Sequence, residues 1–106
     1  MKLSKDEFKV MLMLYAANID GNIHFDEIYV AIEKSHPEIL KSIKKVFDKM
    51  SDMEILECIY ENKAQHAATE TDRTILFDDL CAIIEADEKV TALEVHLLRT
   101  MRRILK

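Results

Sequence analysis

The chain has 106 residues, of which 49% are hydrophobic and 33% charged, a balance typical of one globular domain and not of a disordered segment. It contains one glycine and one proline. Because a β-rich fold needs many turns built from these two residues, their scarcity favours long helices with short connections. The net charge of −5 argues against nucleic acid as a partner. We therefore predict one compact all-α domain over residues 1–106.

The cysteines and the apolar segments suggest a cytoplasmic protein. Cys58 and Cys81 lie in apolar helical contexts without CxxC spacing, which is typical of reduced core thiols. The first seven residues are polar and lead directly into a helix, so a signal peptide is not expected. No apolar run approaches the ~18 residues of a membrane-spanning helix.

Apolar periodicity predicts six helices, or seven if the ambiguous stretch 63–71 contains one. The predicted helices are Lys5–Asn18, Phe25–Ser35, Pro37–Met50, Ser51–Asn62, Asp72–Ala86 and Ala92–Leu105. Three capping boxes mark helix starts: Ser4 with Glu7, Ser51 with Glu54, and Thr91 with Glu94. The first helix is apolar around most of its circumference, so we expect it to be central.

Two further expectations concern individual faces. In the fourth helix, Leu56, Ile59 and Tyr60 are predicted to point inward, and Ile19 extends the buried stripe of the first helix. The last helix carries a basic stripe opposite its apolar face, which we interpret as solvated. This stripe consists of Arg99, Arg102, Arg103 and Lys106.

The most informative feature is a duplicated acidic turn at an offset of 67 residues. The first copy reads Ala17-Asn18-Ile19-Asp20-Gly21-Asn22-Ile23-His24-Phe25-Asp26-Glu27, and the second reads Ile84-Glu85-Ala86-Asp87-Glu88-Lys89-Val90-Thr91-Ala92-Leu93-Glu94. In each copy an apolar helix ends at an Asp, and a β-branched residue precedes a helix whose first turn contains a Glu.

Two interpretations of these acidic residues are open. In the structural one, Asp forms an Asx turn and Glu stabilises the start of the next helix. In the functional one, Asp20, Glu27, Asp87 and Glu94, with Glu88 as a further candidate, bind Ca²⁺ or another divalent cation.

An ordinary EF-hand does not fit this pattern. The first loop position, which needs an acid, is Ala16, and the second copy has Ile83 there. Glu88 also replaces the loop glycine, and the two copies are farther apart than directly paired EF-hands. The acidic block over residues 78–94 nevertheless favours a cation, because like charges repel unless one is bound.

The two turns resemble the TerB-like family, named for the bacterial tellurite-resistance protein. Its hallmark, A-D-G-x-[IV]-x-x-x-E, occurs twice in an all-helical domain, and here it takes the forms Ile19-Asp20-Gly21-Asn22-Ile23…Glu27 and Ala86-Asp87-Glu88-Lys89-Val90…Glu94. The resemblance extends over about residues 8–105. It implies a compact helical fold, an association with tellurite and chemical stress, and metal binding through the acidic turn residues. Glu88 departs from the pattern, which has glycine there.

No sequence pattern suggests catalysis. There is no Gly-rich phosphate loop, and the four histidines show neither HxxxH nor HExxH spacing. We therefore expect a non-enzymatic stress-response module that binds a divalent cation. The alternative is a helical module that binds a protein partner, with purely structural acidic turns.

Overall fold

A computed structural model describes residues 1–19, 25–85 and 91–105, except the side chains of Phe25, Glu27, Ile84, Glu85 and Thr91–Leu97. These residues form six α-helices and contain no strand. The helices are α1 (Lys5–Ile19), α2 (Phe25–Ser35), α3 (Pro37–Lys49), α4 (Asp52–His66), α5 (Glu70–Glu85) and α6 (Thr91–Ile104). The all-α prediction is confirmed, with most helix ends within one or two residues of those predicted.

Local chemistry fixes several of these helix starts. At α1 the Glu7 amide donates to the Ser4 hydroxyl (3.2 Å), and the Ser4 amide donates to the Glu7 carboxylate (2.8 Å). Ser51 and Glu54 form the same reciprocal pair at α4, with distances of 3.2 and 3.0 Å. Two predicted capping boxes are therefore confirmed. The third, between Thr91 and Glu94, involves side chains outside the described set.

Helix α1 is central, as its sequence predicts. It packs against α2, α3, α4 and α6, while α5 packs against α2, α4 and α6. All side chains from Phe8 to Ala17 are buried, including that of Lys9. The Cα radius of gyration is 12.5 Å, close to the ~13 Å of a compact domain of this length. No helix in the described part of the chain is long and apolar enough to span a membrane.

Most of the ambiguous stretch 63–71 is helical, and only residues 67–69 connect the two helices. Helix α4 extends to His66 and α5 begins at Glu70, two residues earlier than predicted. Ala67 is fully buried, and its carbonyl oxygen accepts a hydrogen bond from Nη1 of Arg73 at 3.1 Å. The Asp72 amide donates to the Thr69 hydroxyl at 3.0 Å. The Arg73 side chain and the Asp72 amide at the start of α5 therefore hold the connection in place.

The predicted burial of Tyr60 and Ile19 was wrong. Tyr60 is 52% exposed and Ile19 is 47% exposed. The inward stripe of α4 is rotated away from Tyr60, because it consists of Ile55, Cys58, Ile59 and the polar Asn62 at i, i+3, i+4 and i+7. Ile19 is the last residue of α1.

The hydrogen bonds of the buried Asn62 explain why a polar residue occupies this inward position. Its side-chain oxygen accepts a hydrogen bond from the Leu3 amide at 2.7 Å, and its nitrogen donates to the Met1 carbonyl at 2.9 Å. Nε2 of His66 lies 2.8 Å from the Leu3 carbonyl oxygen, and the His66 ring packs against Phe8. Hydrogen bonds thus hold residues 1–3, which precede α1, against α4.

Candidate functional site

The predicted cation ligands lie outside the described residues. Asp20, Asp87 and Glu88 belong to the segments 20–24 and 86–90, and the side chains of Glu27 and Glu94 are likewise not described. The helices on either side of both turns are described. The first turn connects α1 to α2 and the second connects α5 to α6, as the duplication predicts. These four helices pack in a closed ring, α1 on α2, α2 on α5, α5 on α6 and α6 on α1.

Elsewhere, no group of three or more His, Cys, Asp and Glu side chains is placed to hold a metal ion among the residues that the structure describes. Part of the acidic block predicted over residues 78–94 is neutralised by α1. Oδ2 of Asp79 lies 3.3 Å from Nζ of Lys9 and 3.5 Å from Nζ of Lys5. Asp79, one carboxylate of this block, is therefore not available to a cation without competition from two lysines.

The buried Lys9 is the centre of a polar cluster. Its side chain is 9% exposed and also contacts Oδ1 of Asp6 at 3.0 Å. The hydrogen bond from Lys9 holds the pKa of the Asp6 carboxyl below its usual value. The cluster borders a cavity of about 260 Å³ that is also lined by Ser35 and His36.

The cavity beside Lys9 is lined by Ser, His and Asp, the residue types of a catalytic triad. Their contacts, however, are those of side chains at the end of a helix. The Ser35 hydroxyl is within 3.3 Å of the carbonyl oxygens of Ala31 and Ile32 in its own helix and 3.0 Å from Nδ1 of His36. Nε2 of His36 lies 3.9 Å from Oδ1 of Asp6, which is too long for a hydrogen bond. The contacts therefore favour a structural role for this cluster.

A second recess, here called the apolar groove, lies where α1, α4 and α6 meet. It has a volume of about 240 Å³. Its lining consists of Tyr15, Ile19, Leu56, Tyr60, Thr100, Arg103 and Ile104. Tyr15 is buried in it, and burial, reinforced by the nearby Asp52 carboxylate, raises the pKa of its phenol. The side-chain amide of Asn18 donates to the Asp52 carboxylate at 3.2 Å. This bond connects the last turn of α1 to the first residue of α4.

Large apolar side chains remain exposed around the apolar groove. Tyr60 and Ile19 are about half exposed, and Met53, two turns before Tyr60 on α4, is 65% exposed. The flanking charges differ between the two sides. Helix α4 presents exposed Asp52 and Glu57, whereas α6 presents exposed Arg99 and Arg103. The groove therefore combines an apolar floor with Asp52 near Tyr15 on the α4 side and Arg103 on the α6 side.

A third recess, here called the basic cleft, lies between α4, α5 and α6. Its volume is about 470 Å³. It is lined by Lys63, Glu70, Arg73, Thr74, Phe77, Arg102 and Leu105. The Arg102 guanidinium carbon lies 5.4 Å from the centre of the Phe77 ring, within the range of a cation–π contact.

The predicted basic stripe of α6 separates these two recesses. Arg99, Arg102 and Arg103 are exposed as expected, and Lys106 lies outside the described residues. However, the stripe is more than a solvated face. Arg102 lines the basic cleft, and Arg103 lines the apolar groove. Helical spacing predicted where these side chains lie on α6, but not what they face across the fold.

Comparisons of the chain with protein-family models, curated proteins and solved structures found no match. The resemblance to the TerB-like family therefore rests on the two acidic turns alone, and the function must be argued from the residues.

Proposed function

We propose that this chain is a non-enzymatic interaction module that docks an amphipathic helix of a protein partner in the apolar groove. The observation that carries the proposal is the exposure of Tyr60 and Ile19 in the lining of one recess, with exposed Met53 on the same face of α4 by its helical spacing from Leu56 and Tyr60. Large apolar side chains that cluster on a surface are typical of interaction sites, whereas single ones need no explanation. A groove between helices suits a helix that inserts residues at i, i+3 or i+4, and i+7.

The rim charges define the partner further. A helix lying along the groove should meet the carboxylate of Asp52, which lies near Tyr15, on one side and the guanidinium of Arg103 on the other. The complementary helix carries basic residues on the flank that faces α4 and acidic residues on the flank that faces α6. Such matched charges select the partner and its orientation, while the apolar contacts supply most of the affinity.

A pair of designed peptides tests this proposal. Both have the same composition and leucine stripe. One carries Glu on one flank and Lys on the other, and the second exchanges the flanks so that its charges are mismatched in the same helix direction. Amide resonances are followed by NMR as each peptide is added. We expect saturable shifts at Tyr15, Leu56 and Ile104, with a preference between the peptides that disappears in high salt.

Two double variants, one in the groove and one outside it, each replace two exposed apolar residues. Met53→Ser with Tyr60→Ser should weaken binding at least about tenfold, because it removes two apolar anchors. The control, Val30→Ser with Ile75→Ser, changes exposed residues on α2 and α5 and should bind normally. Equal affinity in both double variants, or shifts scattered over the whole surface, would overturn the proposal. So would concentration-dependent self-association that only the groove variant loses, since the occupant would then be a second copy.

The duplicated turns support a second candidate function. Asp20 and Glu27, with Asp87 and Glu94, would bind a divalent cation in a stress-response module resembling the TerB-like family. Its support is the repeat itself, together with helices that begin and end where the repeat predicts. Ca²⁺ or Mn²⁺ at millimolar concentration should then raise the melting temperature.

Substitution of Asp20→Ala with Asp87→Ala should abolish that rise in melting temperature. The control, Glu33→Ala with Glu38→Ala, removes the same charge from exposed sites on α2 and α3 and should preserve it. A melting temperature that ignores both cations in the unsubstituted chain excludes this function and leaves docking in the apolar groove unaffected.

A further inference from the structure

The basic cleft concentrates positive charge in a protein whose net charge is −5. Lys63 comes from α4, Arg73 from α5 and Arg102 from α6, so three separate helices each contribute a cation. Glu70 is the one carboxylate in the described lining. Positive side chains from three helices that line one cleft focus the local electric field there and attract an anion.

The guanidinium groups of Arg73 and Arg102 are positioned by contacts within the fold. Nη1 of Arg73 donates to the Ala67 carbonyl oxygen at 3.1 Å, which uses one of the five N–H bonds of its guanidinium. The guanidinium of Arg102 lies over the Phe77 ring. Because both groups are already held, an anion that reaches them orders less side-chain freedom than it would at mobile surface lysines.

The cleft also has an apolar wall. Phe77 is half-buried and Leu105 is buried, and both line the recess. Its volume of about 470 Å³ lies within the ~300–1,000 Å³ of typical small-molecule sites. Inorganic phosphate alone would leave most of this space and the aromatic surface unused. A ligand that fills the cleft therefore needs an apolar, preferably planar, body beside its anionic group.

We propose that the basic cleft binds an organic anion, in which a phosphate or carboxylate contacts Arg73 and Arg102 while a planar apolar group packs against Phe77. The same chemistry is available in a free small molecule and in an acidic aromatic peptide segment. This site is independent of helix docking, because it lies on the other side of α6 and shares no lining residue with the apolar groove.

Phenyl phosphate is the primary probe, and inorganic phosphate and phenol are its separate parts. Each is titrated up to about 10 mM while amide resonances are followed by NMR. Phenyl phosphate should cause saturable shifts at Thr74, Phe77 and Leu105 and should bind more tightly than either part. A capped Phe-Glu dipeptide distinguishes the sources, since tighter binding of the dipeptide assigns the site to a peptide and weaker binding to a small molecule.

Substitutions then test the roles of individual side chains. Arg102→Gln should weaken phenyl phosphate binding about tenfold through loss of a charge-assisted contact. Arg73→Gln should act similarly. If loss of the hydrogen bond to Ala67 disturbs the connection 67–69, Arg73→Lys, which retains the charge, is used in its place. Glu70→Gln removes the repelling carboxylate and should tighten binding about threefold.

The charge-matched control is Lys41→Gln with Lys45→Gln, two exposed positions on α3. This double variant should bind phenyl phosphate normally, whereas a cleft double variant with Arg73→Gln and Arg102→Gln, which removes the same charge, should not. Phe77→Leu should weaken phenyl phosphate more than inorganic phosphate, because inorganic phosphate loses only the contact that positions Arg102. The absence of saturable shifts with every probe, or an equal loss in the Lys41 and Lys45 control, overturns the proposal.

Discussion

Nζ of Lys9 lies 3.3 Å from Oδ2 of Asp79, so a buried lysine on the central helix α1 is paired with a carboxylate on α5. The same ammonium reaches Asp6 at 3.0 Å. Removing water from an ammonium costs several kcal/mol unless opposite charges compensate. The two half-exposed carboxylates supply that compensation, and Asp79 also ties the start of α1 to α5.

A mutant cycle on this cluster should therefore be strongly non-additive. Asp6→Asn and Asp79→Asn should each lower the free energy of unfolding by about 1 kcal/mol, because Lys9 retains one partner. The double variant should lose about 3 kcal/mol or more, since the buried ammonium is then left without either carboxylate. Urea unfolding of the four proteins measures the coupling.

Lys9→Met provides the control for this cycle, because it keeps the apolar stem and removes the charge. Introduced into the double variant, it should restore most of the lost stability. Simple additivity of the two Asn substitutions, or no rescue by Met, would show that Lys9 does not depend on these carboxylates.

The cluster also makes stability depend on pH. The hydrogen bond from Lys9 lowers the pKa of Asp6 in the folded chain below its usual value of 3.8. A depressed carboxyl pKa contributes stability that is fully present above the unfolded pKa and is lost as the pH falls through the folded pKa. Urea unfolding measured from neutral pH down to acidic pH should therefore show a loss that is smaller in Asp6→Asn. Identical pH profiles would contradict this assignment.

Asn62 provides a separate test of how residues 1–4 are held. Asn62→Ala should lower the free energy of unfolding by about 2 kcal/mol, because the Leu3 amide and the Met1 carbonyl lose their side-chain partner. Hydrogen exchange of the Leu3 amide should also become much faster. Asn62→Asp should retain protection of Leu3, since its carboxylate still accepts that bond, but it cannot donate to Met1. Unchanged exchange in Asn62→Ala would exclude this role.

Periodicity predicted the helices because most of them pack through a continuous apolar stripe, as Ile28, Ala31 and Ile32 do in α2. The capping boxes at Ser4 and Ser51 were predictable because their chemistry is local. The sequence thus defined the helical fold almost to its helix ends.

Some residues depart from the burial that the local apolar pattern predicts, because their environment depends on contacts with distant parts of the chain. Lys9 is buried because its partner lies 70 positions away on α5, and Asn62 is buried because it binds the backbone near Met1. Tyr60 is apolar and yet exposed, since the rotation of α4 depends on its neighbours. For the same reason, nothing in the sequence indicated that Arg73 and Arg102 face one cleft.

The two thiols should differ in reactivity. Cys58 is 3% exposed, and burial raises the pKa of its thiol, whereas the Cys81 side chain is only half-buried. Because the thiolate is the nucleophile, iodoacetamide at pH 8 should alkylate Cys81 at least about tenfold faster than Cys58 in the folded protein. Peptide mapping by mass spectrometry over a time course measures both rates. In urea the two rates should converge, which separates burial from any intrinsic difference. Faster labelling of Cys58 in the folded chain would contradict the packing of α4 against α1.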